Sequence, residues 1–382
     1  MLPRIAHQKI VSLASAFKAV AIIGPRQSGK TTLTKFVFPD KPYVSLENPE
    51  SRSFALEDPR GFLSQFPDGA ILDEIQRTPE LLSWLQQRLD EDPRNGTFVL
   101  TGSNNFLLIE KISQSLAGRV AYLDLLPFSQ GELKSLTVDN LNHEMLYGGY
   151  PPIRAQGIPP EDWFPNYVRT YVERDVRQIK NLDNLLGFER LLLLCAARAG
   201  QLLNYSNLSV ELGVDVKTVK SWIGILQASY LVYLLPPYFK NYSKRVVKTP
   251  KLYFLDTGLL CHLLRIESVD VLSNHPQRGE IFENYIITEL LKNRFNQGKQ
   301  PNLYFWRDRP GLEVDVLIDK GTSIHPIEIK SGQTITSSYF KNLRKWMDLS
   351  GETSGSVIYA GSQPQHRSDG ISVDSWVNID QY

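Results

Sequence analysis

The stretch AVAIIGPRQSGKTTLTKF, residues 19–36, constrains this chain more than any other. An apolar run, a glycine-bearing loop and a helix-forming run follow one another without a spacer. Gly24-Pro25-Arg26-Gln27-Ser28-Gly29-Lys30-Thr31 fits G-x-x-x-x-G-K-[ST]. The glycines let backbone N–H groups curl around phosphate oxygens. A helix starting near Lys30 aims its positive end at the same anion. Lys30 is expected to reach the β- and γ-phosphates and the Thr31 hydroxyl to ligate Mg2+, with Thr32 completing the nucleotide-binding set. ATP and Mg2+ are therefore the expected cofactors.

Two further runs support that loop. In AILDEIQ the apolar residues place Asp73 and Glu74 at the carboxyl end of a buried strand, the edge where doubly wound sheets bind ligands. Asp73 is expected to hold Mg2+, directly or through water, and Glu74 to polarise the attacking water. FVLTGSNN reads as a third strand ending in Thr101, Ser103 and Asn104, with Ser103 favoured to contact the γ-phosphate or orient the water. Between them, Leu81, Leu82, Leu85 and Leu89 have helical spacing, with Thr78 as the expected cap and Pro79 as the first helical residue. Strands alternating with helices predict a parallel sheet covered by helices on both faces.

The chain of 382 residues is long enough for two to four domains at roughly 100–200 residues each. Its two cysteines, Cys195 and Cys261, cannot build a disulfide framework, which favours the cytoplasm. The opening MLPRIAHQKI lacks the apolar core of a signal peptide. The most apolar run, LLLLCAARAG, is too short to span a bilayer, so no membrane partner is expected. The net charge of +1 conceals an asymmetry. Residues 1–130 carry 14 Lys and Arg against 14 Asp and Glu, whereas residues 236–345 carry 17 against 11. A basic surplus collected in one region suits a polyanion.

The pattern divides the chain into 1–130, a nucleotide-binding core; 131–189, a helical lid or linker; 190–265; and 275–382. Within the third segment, NYSNLSVELGVDVKTVKSWIGIL has the rhythm of a helix-turn-helix. Ser206 is the expected cap of its first helix, Gly213 the turn and Asp215 the cap of the second. Val219, Ile223 and Leu226 form the buried stripe, leaving Lys217 and Lys220 outward. KNYSKRVVKTPK, residues 240–251, then carries five Lys or Arg and no acid, as a wing between two strands would. Lys217, Lys220, Lys240, Lys244, Arg245 and Lys248 are the expected DNA contacts, made to phosphates and dependent on salt.

Near the end stands EVDVLIDKGTSIHPIEIKSG, preceded by the helix RGEIFENYIITELL, whose Phe282, Tyr285, Ile286 and Leu290 form a buried face. A two-residue loop inside Asp319–Thr322 makes paired residue numbers sum to 641 and sets Asp315 opposite Pro326. Asp315, Glu328 and Lys330 then share one face of the sheet, and Val314, Val316, Ile327 and Ile329 face the core. A solvated hairpin explains the alternation but not the glutamate of the helix.

The set GPRQSGKT, LDEIQ, LTGSNN and LAGR resembles the AAA-type P-loop ATPases of archaea and bacteria that carry an uncharacterised C-terminal domain. The resemblance implies a homo-oligomeric ring, a hexamer being favoured, with ATP between subunits. Arg119 is then the candidate arginine finger acting on a neighbour's nucleotide, and Arg174 a weaker candidate sensor. The C-terminal segment resembles PD-(D/E)XK nucleases of the Holliday-junction resolvase type. That resemblance assigns catalytic roles to Glu283, Asp315, Glu328 and Lys330, with Asp315 and Glu328 as Mg2+ ligands through hard oxygens. The proline that often precedes the aspartate is replaced by Val314. The expected fold class is α/β: a P-loop NTPase parallel sheet with a helical lid, followed by a winged-helix domain and a PD-(D/E)XK nuclease-like α/β domain. The expected function is a Mg-dependent, ring-forming ATPase acting on branched or duplex DNA. Two alternatives stand beside it: an ATP-switched scaffold whose nuclease fold does not cut, and a defence or toxin-like nuclease effector.

Overall fold

The computed structural model describes residues 2–102, 116–136, 140–171, 184–239 and 247–382. They form two units: Met1–Phe128 with Ala228–Tyr230 and Arg294–Gln300, and Ser129–Gln227 with Leu231–Asn293 and Pro301–Tyr382. No described helix is long and apolar enough to cross a membrane.

The first unit alternates α1 (Ala6–Ala16), β1 (Ala19–Ile23), α2 (Lys30–Val37), β2 (Tyr43–Ser45), α3 (Pro49–Glu57), α4 (Pro59–Ser64), β3 (Ile71–Asp73), α5 (Leu81–Glu91), β4 (Phe98–Gly102) and β5 (Val120–Asp124). The strands form a parallel sheet in the order β2-β3-β4-β1-β5. Successive side chains of a strand point to opposite faces, and both faces here are covered. Val20 and Ile22 pack with Ala6, Ile10 and Ala14 of α1 and Leu33 of α2. Ala19, Ala21 and Ile23 pack with the four leucines of α5 and with Phe62 and Leu63 of α4. Helix α5 begins two residues later than the sequence predicts. A 3-10 turn, Ile75–Arg77, ends at Thr78, whose carbonyl accepts from the Leu81 N–H. The Thr78 hydroxyl is buried without a hydrogen-bond partner among the described residues, so it does not cap the helix.

The second unit opens with short helices: α6 (Gln130–Leu133), α7 (Leu141–Tyr147), α8 (Pro151–Arg154) and α9 (Pro160–Thr170). Then come α10 (Leu185–Ala196), α11 (Tyr205–Leu212), α12 (Val216–Ala228) and the antiparallel pair β6 (Val232–Leu235) and β7 (Lys251–Phe254). Leu202, between α10 and α11, bridges Lys251. Asn204, not Ser206, caps α11, because its side chain accepts from the Asn207 N–H. Gly213 takes the left-handed turn at φ 67°, and Asp215 caps α12 by accepting from Thr218 N–H at 2.9 Å. Val219, Ile223 and Leu226 are buried.

After α13 (Thr257–Leu263) and α14 (Val269–Ser273), α15 (Arg278–Asn296) leads into β8 (Leu303–Arg307), β9 (Glu313–Asp319), β10 (Ile324–Lys330), α16 (Lys341–Ser350), β11 (Gly355–Tyr359), β12 (Gln365–His366) and β13 (Ile371–Ser375). The sheet order is β12-β13-β11-β10-β9-β8. Strands β8, β9 and β10 form an antiparallel meander, whereas β11 runs parallel to β10 and β13 parallel to β11. The β9–β10 register pairs Ile324 with Asp319 and Ile327 with Val316, so paired numbers sum to 643 and not 641. The turn sits one residue further along: Lys320 N–H donates to Ser323 O, and Gly321 takes φ 84°. An even shift of two leaves every side chain on its expected face.

The hairpin and the large sheet are joined. Phe305 N–H of β8 donates to Pro236 O, and Tyr238 N–H donates to Phe305 O. Helix α15 is buried well beyond the predicted face. Ile281, Ile287, Leu291, Asn284, Glu289 and Lys292 are buried along with Phe282, Tyr285, Ile286 and Leu290. The Asn284 side-chain amide pairs with the edge of β7, accepting from Phe254 N–H at 2.8 Å and donating to Phe254 O at 2.7 Å. Asn284→Ala leaves both backbone groups unsatisfied in a buried place, at roughly 1–3 kcal/mol each. Urea unfolding is expected to show a loss of about 2–6 kcal/mol, with an unchanged dependence on urea.

Candidate functional site

The phosphate loop leaves β1 through Gly24, where φ is 154° and a Cβ would lie 2.2 Å from Leu125 O. Gln27 (φ 58°) and Gly29 (φ 94°) turn the backbone into α2. The guanidinium of Arg4 pins the loop, donating to Ser28 O at 2.9 Å and to Leu126 O at 2.6 Å. Lys30 is buried and donates to the carbonyls of Gly24 (3.0 Å) and Pro25 (2.7 Å). The Ser28 hydroxyl is buried with no partner among the described residues. An orphaned hydroxyl beside a lysine and a curled backbone fits a phosphate oxygen.

Asp73, at the end of β3, is the acid of this site. It accepts from the Thr31 hydroxyl at 3.1 Å, from the Tyr43 hydroxyl at 2.7 Å and from the Thr101 hydroxyl. Burial and the bond to Asp73 raise the Tyr43 pKa, so Tyr43 stays a neutral donor. Thr31 and Asp73 together offer the oxygen donors that would hold Mg2+, and a bound Mg2+ would offset charge on the phosphates. Glu74 follows at φ 58°, a left-handed conformation unusual outside glycine, and its carboxylate takes the Gln76 amide.

The second unit holds a denser cluster. Glu283 of α15 accepts from Lys251 Nζ at 3.1 Å and from the Tyr253 hydroxyl at 2.5 Å. Lys251 Nζ also lies 2.5 Å from Glu313 Oε1, and Arg307 reaches Glu313 Oε2 at 3.1 Å. Asp315 accepts from Ile329 N–H at 2.7 Å. Lys330 Nζ stands 2.7 Å from Glu328 and 3.6 Å from Asp315. Continuing the observed register by one step puts Asp315 across from Glu328.

Glu328 is 3% exposed, and its Oε2 has no hydrogen-bond partner among the described residues. Burial, then the neighbouring Asp315 charge, pushes its carboxyl up to about 8 against the pull of Lys330. Burial pulls the Lys251 and Lys330 ammonium groups down, but the surrounding carboxylates outweigh it and hold both above the ordinary lysine value. Among the described residues no three His, Cys, Asp or Glu side chains gather around one ion position. The lysines stand between the acids. What remains for a divalent cation is the Asp315–Glu328 pair, and the orphaned buried oxygen fits that role.

Known families match three successive stretches of the chain. The AAA domain family matches residues 16–134, a domain of unknown function (DUF8612) matches 138–270, and another (DUF4143) matches 278–379. Protein Rv2008c of Mycobacterium tuberculosis is 31% identical over 330 residues, covering 85% of this chain and 72% of that protein. Protein Mb2031c of Mycobacterium bovis gives the same figures. This chain belongs to their family. Its N-terminal part is a P-loop ATPase domain of the AAA type. A Haemophilus influenzae protein is 26% identical over 218 residues, 53% of this chain and 52% of that one. Among solved structures, the Walker-type ATPase PABY2304 of Pyrococcus abyssi covers 68% of this chain and 95% of that one, at 16% identity and a TM-score of 0.46.

In the ATPase domain the structure brings Thr31 and Asp73 together beside Lys30. Arg119 lies elsewhere, just before β5, where its backbone carbonyl accepts from the Ala19 N–H at the start of β1. That is the end of the sheet away from the loop. Its guanidinium grips Asp90 in two bonds of 2.5 and 2.9 Å. Lys217, Lys220 and Lys248 are exposed, and Lys220 stands 5.5 Å from the centre of the Tyr205 ring. Ser103, Arg174, Lys240, Lys244 and Arg245 lie outside the described residues. Sequence reading missed Arg4, Tyr43, Lys251 and Tyr253. No local motif marks them, because each is placed by strand pairing or by chain packing from far away.

A titration checks the Glu328 environment. A carboxyl near 8 in the folded chain, against about 4.3 when unfolded, holds a proton that unfolding releases. Its contribution is full below the unfolded value and is lost as pH rises through the folded one. Glu328→Gln is expected to flatten the fall in stability between about pH 4.5 and 8. Urea unfolding in EDTA should show the variant gaining on the wild type at pH 8 relative to pH 5.

Proposed function

We propose that this AAA-type ATPase uses Mg2+ and ATP to act on DNA, through a winged helix and a nuclease-like C-terminal region. The observation that carries the reading is the convergence of Glu283, Asp315, Glu328 and Lys330 in one cluster. These residues come from one helix and two strands, and a solvated hairpin does not require them to meet. The order of helix, bridge, helix, turn, helix and antiparallel strands supports the winged-helix reading. The exposed Lys217, Lys220 and Lys248 supply charge for phosphate contacts.

In this reading Asp315 and Glu328 would hold one Mg2+, which would supply Lewis acidity at the scissile phosphate. Lys330 holds its ammonium beside both carboxylates, placed to orient a water or to stabilise developing phosphate charge. In the ATPase domain, Lys30 neutralises phosphate charge and Asp73 stays aligned by three hydroxyls. Glu74 sits one residue beyond Asp73, positioned to take a proton from water. Arg119, half-buried at the end of the sheet away from its own phosphate loop, would act on a neighbouring subunit in a ring, after exchanging Asp90 for a γ-phosphate.

A second reading has its own support. Every acid of the cluster is paired with a lysine or lies beside one, so the nuclease-like region would bind without cutting. One experiment separates the two. Labelled duplex, single-stranded and four-way-junction DNA are incubated with Mg2+ or Mn2+, with and without ATP. The wild type is expected to bind DNA, with binding falling as salt rises. Lys30→Ala should lose ATP hydrolysis, and Asp315→Ala should lose cleavage while keeping DNA binding. Binding without cleavage by the wild type selects the second reading, and binding to no substrate overturns both.

Arg119→Ala tests the ring. Turnover is expected to fall by about 10³ or more, the usual worth of an arginine finger, with ATP affinity kept. Normal turnover in that variant removes the trans role.

A further inference from the structure

Lys251 belongs to β7 of the small hairpin, not to the helix or the strands that carry the four acids. Its side chain nevertheless enters the acidic cluster and is almost fully buried there. Its Nζ contacts one oxygen of Glu283 (3.1 Å) and one of Glu313 (2.5 Å), while Tyr253, two residues along the same strand, donates to the same Glu283 oxygen at 2.5 Å. Two carboxylates from different elements thus converge on a single cation, and the Tyr253 phenol holds one of them, Glu283, in place. A divalent cation takes the same kind of shell, only tighter, with Mg2+–oxygen distances of about 2.0–2.1 Å.

The charges around the cluster divide cleanly. Glu283 and Glu313 are balanced by Lys251 and Arg307. Among the described residues, the ion-pair partner that Asp315 and Glu328 share is Lys330. Four carboxyl groups face three cationic side chains, so one carboxyl lacks a cation of its own, in the pair that includes the buried, unpartnered Glu328 Oε2. The place for an added cation is therefore between Asp315 and Glu328, and the other half of the cluster is already filled.

We propose that Lys251 is a resident cation: its ammonium permanently occupies a second cation position, formed by Glu283 and Glu313, so that the cluster takes a single divalent ion. The proposal rests on the metal-site reading above for the first position only. It makes Lys251 a positioning residue, which holds Glu283 and Glu313 in place without a soluble ion. It also makes the acidic centre depend on the hairpin, since moving β7 withdraws the cation.

Counting ions tests it. Binding of Mn2+ to the nucleotide-free full chain is followed by the electron paramagnetic resonance signal of free Mn2+. Any ion held at Thr31 and Asp73 is common to all variants and cancels in the differences. Lys251→Met is expected to bind one more Mn2+ than the wild type. The extra ion should vanish in Lys251→Met/Glu313→Gln and persist in Lys251→Met/Asp315→Asn. A folded Lys251→Met that binds the same number as the wild type overturns the proposal.

The first position is read separately, because the wild type should bind one Mn2+ that Asp315→Asn loses. Loss of that difference, with the Lys251→Met gain intact, sinks the metal-site reading and leaves the resident cation standing. Should Lys251→Met be unstable without metal, its melting temperature answers the same question. Mn2+ is expected to restore it in Lys251→Met and not in Lys251→Met/Glu313→Gln, and failure to restore the single variant overturns the proposal.

Discussion

Helix α15 (Arg278–Asn296) is buried along most of its surface, and the second unit depends on how its polar side chains are satisfied. Asn284 pairs with the backbone of Phe254 in β7. Glu289 accepts from Gln130 N–H at 2.7 Å and from Lys292 at 2.7 Å. Asn293 donates to Ile379 O near the end of the chain, and Glu283 receives Lys251 and Tyr253. Each buried polar group would be costly if left alone. Together they tie the short helices, the hairpin and the C-terminal sheet to one helix. That is why most of residues 131–382, all but Ala228–Tyr230 and Arg294–Gln300, falls into one unit, although the sequence pattern separates three segments there.

The two sites use carboxylates differently. Asp73 is ringed by the hydroxyls of Thr31, Tyr43 and Thr101, neutral donors that align it without neutralising it. The C-terminal acids are surrounded by ammonium groups instead. A hydroxyl-lined carboxylate yields easily to a divalent ion arriving with nucleotide. A lysine-paired one must exchange a resident charge. Asp315 and Glu328 lie between these cases, because three cations serve four acids.

Legibility followed the range of the interactions. The phosphate loop was readable because its shape is set by consecutive residues, with Gly24 and Gly29 at positive φ. The face shared by Asp315, Glu328 and Lys330 was readable because a strand alternates with period two. The β9–β10 register was not, since Gly321 and Thr322 close the turn as well as the preceding pair would, and only the packed sheet chooses. Caps at Thr78 and Ser206 failed for a similar reason: nearby residues competed for the same orphan N–H groups, and the 3-10 turn before α5 and Asn204 before α11 prevailed.

The sequence by itself determined the parallel ATPase sheet, the loop at the end of β1, the acid at the end of β3 and the parity of the late carboxylates. Each follows from local periodicity and backbone sterics, which act over a few residues. Tertiary structure alone decided that Lys251 and Tyr253 enter a cluster built from residues 283–330, that Arg4 pins the phosphate loop and that Arg119 is held by Asp90. Those contacts join residues 24 to 62 positions apart within one unit, and no short-range pattern encodes which distant charge will arrive. Burial then assigns the consequence, because a charge removed from water must find its partner inside the fold.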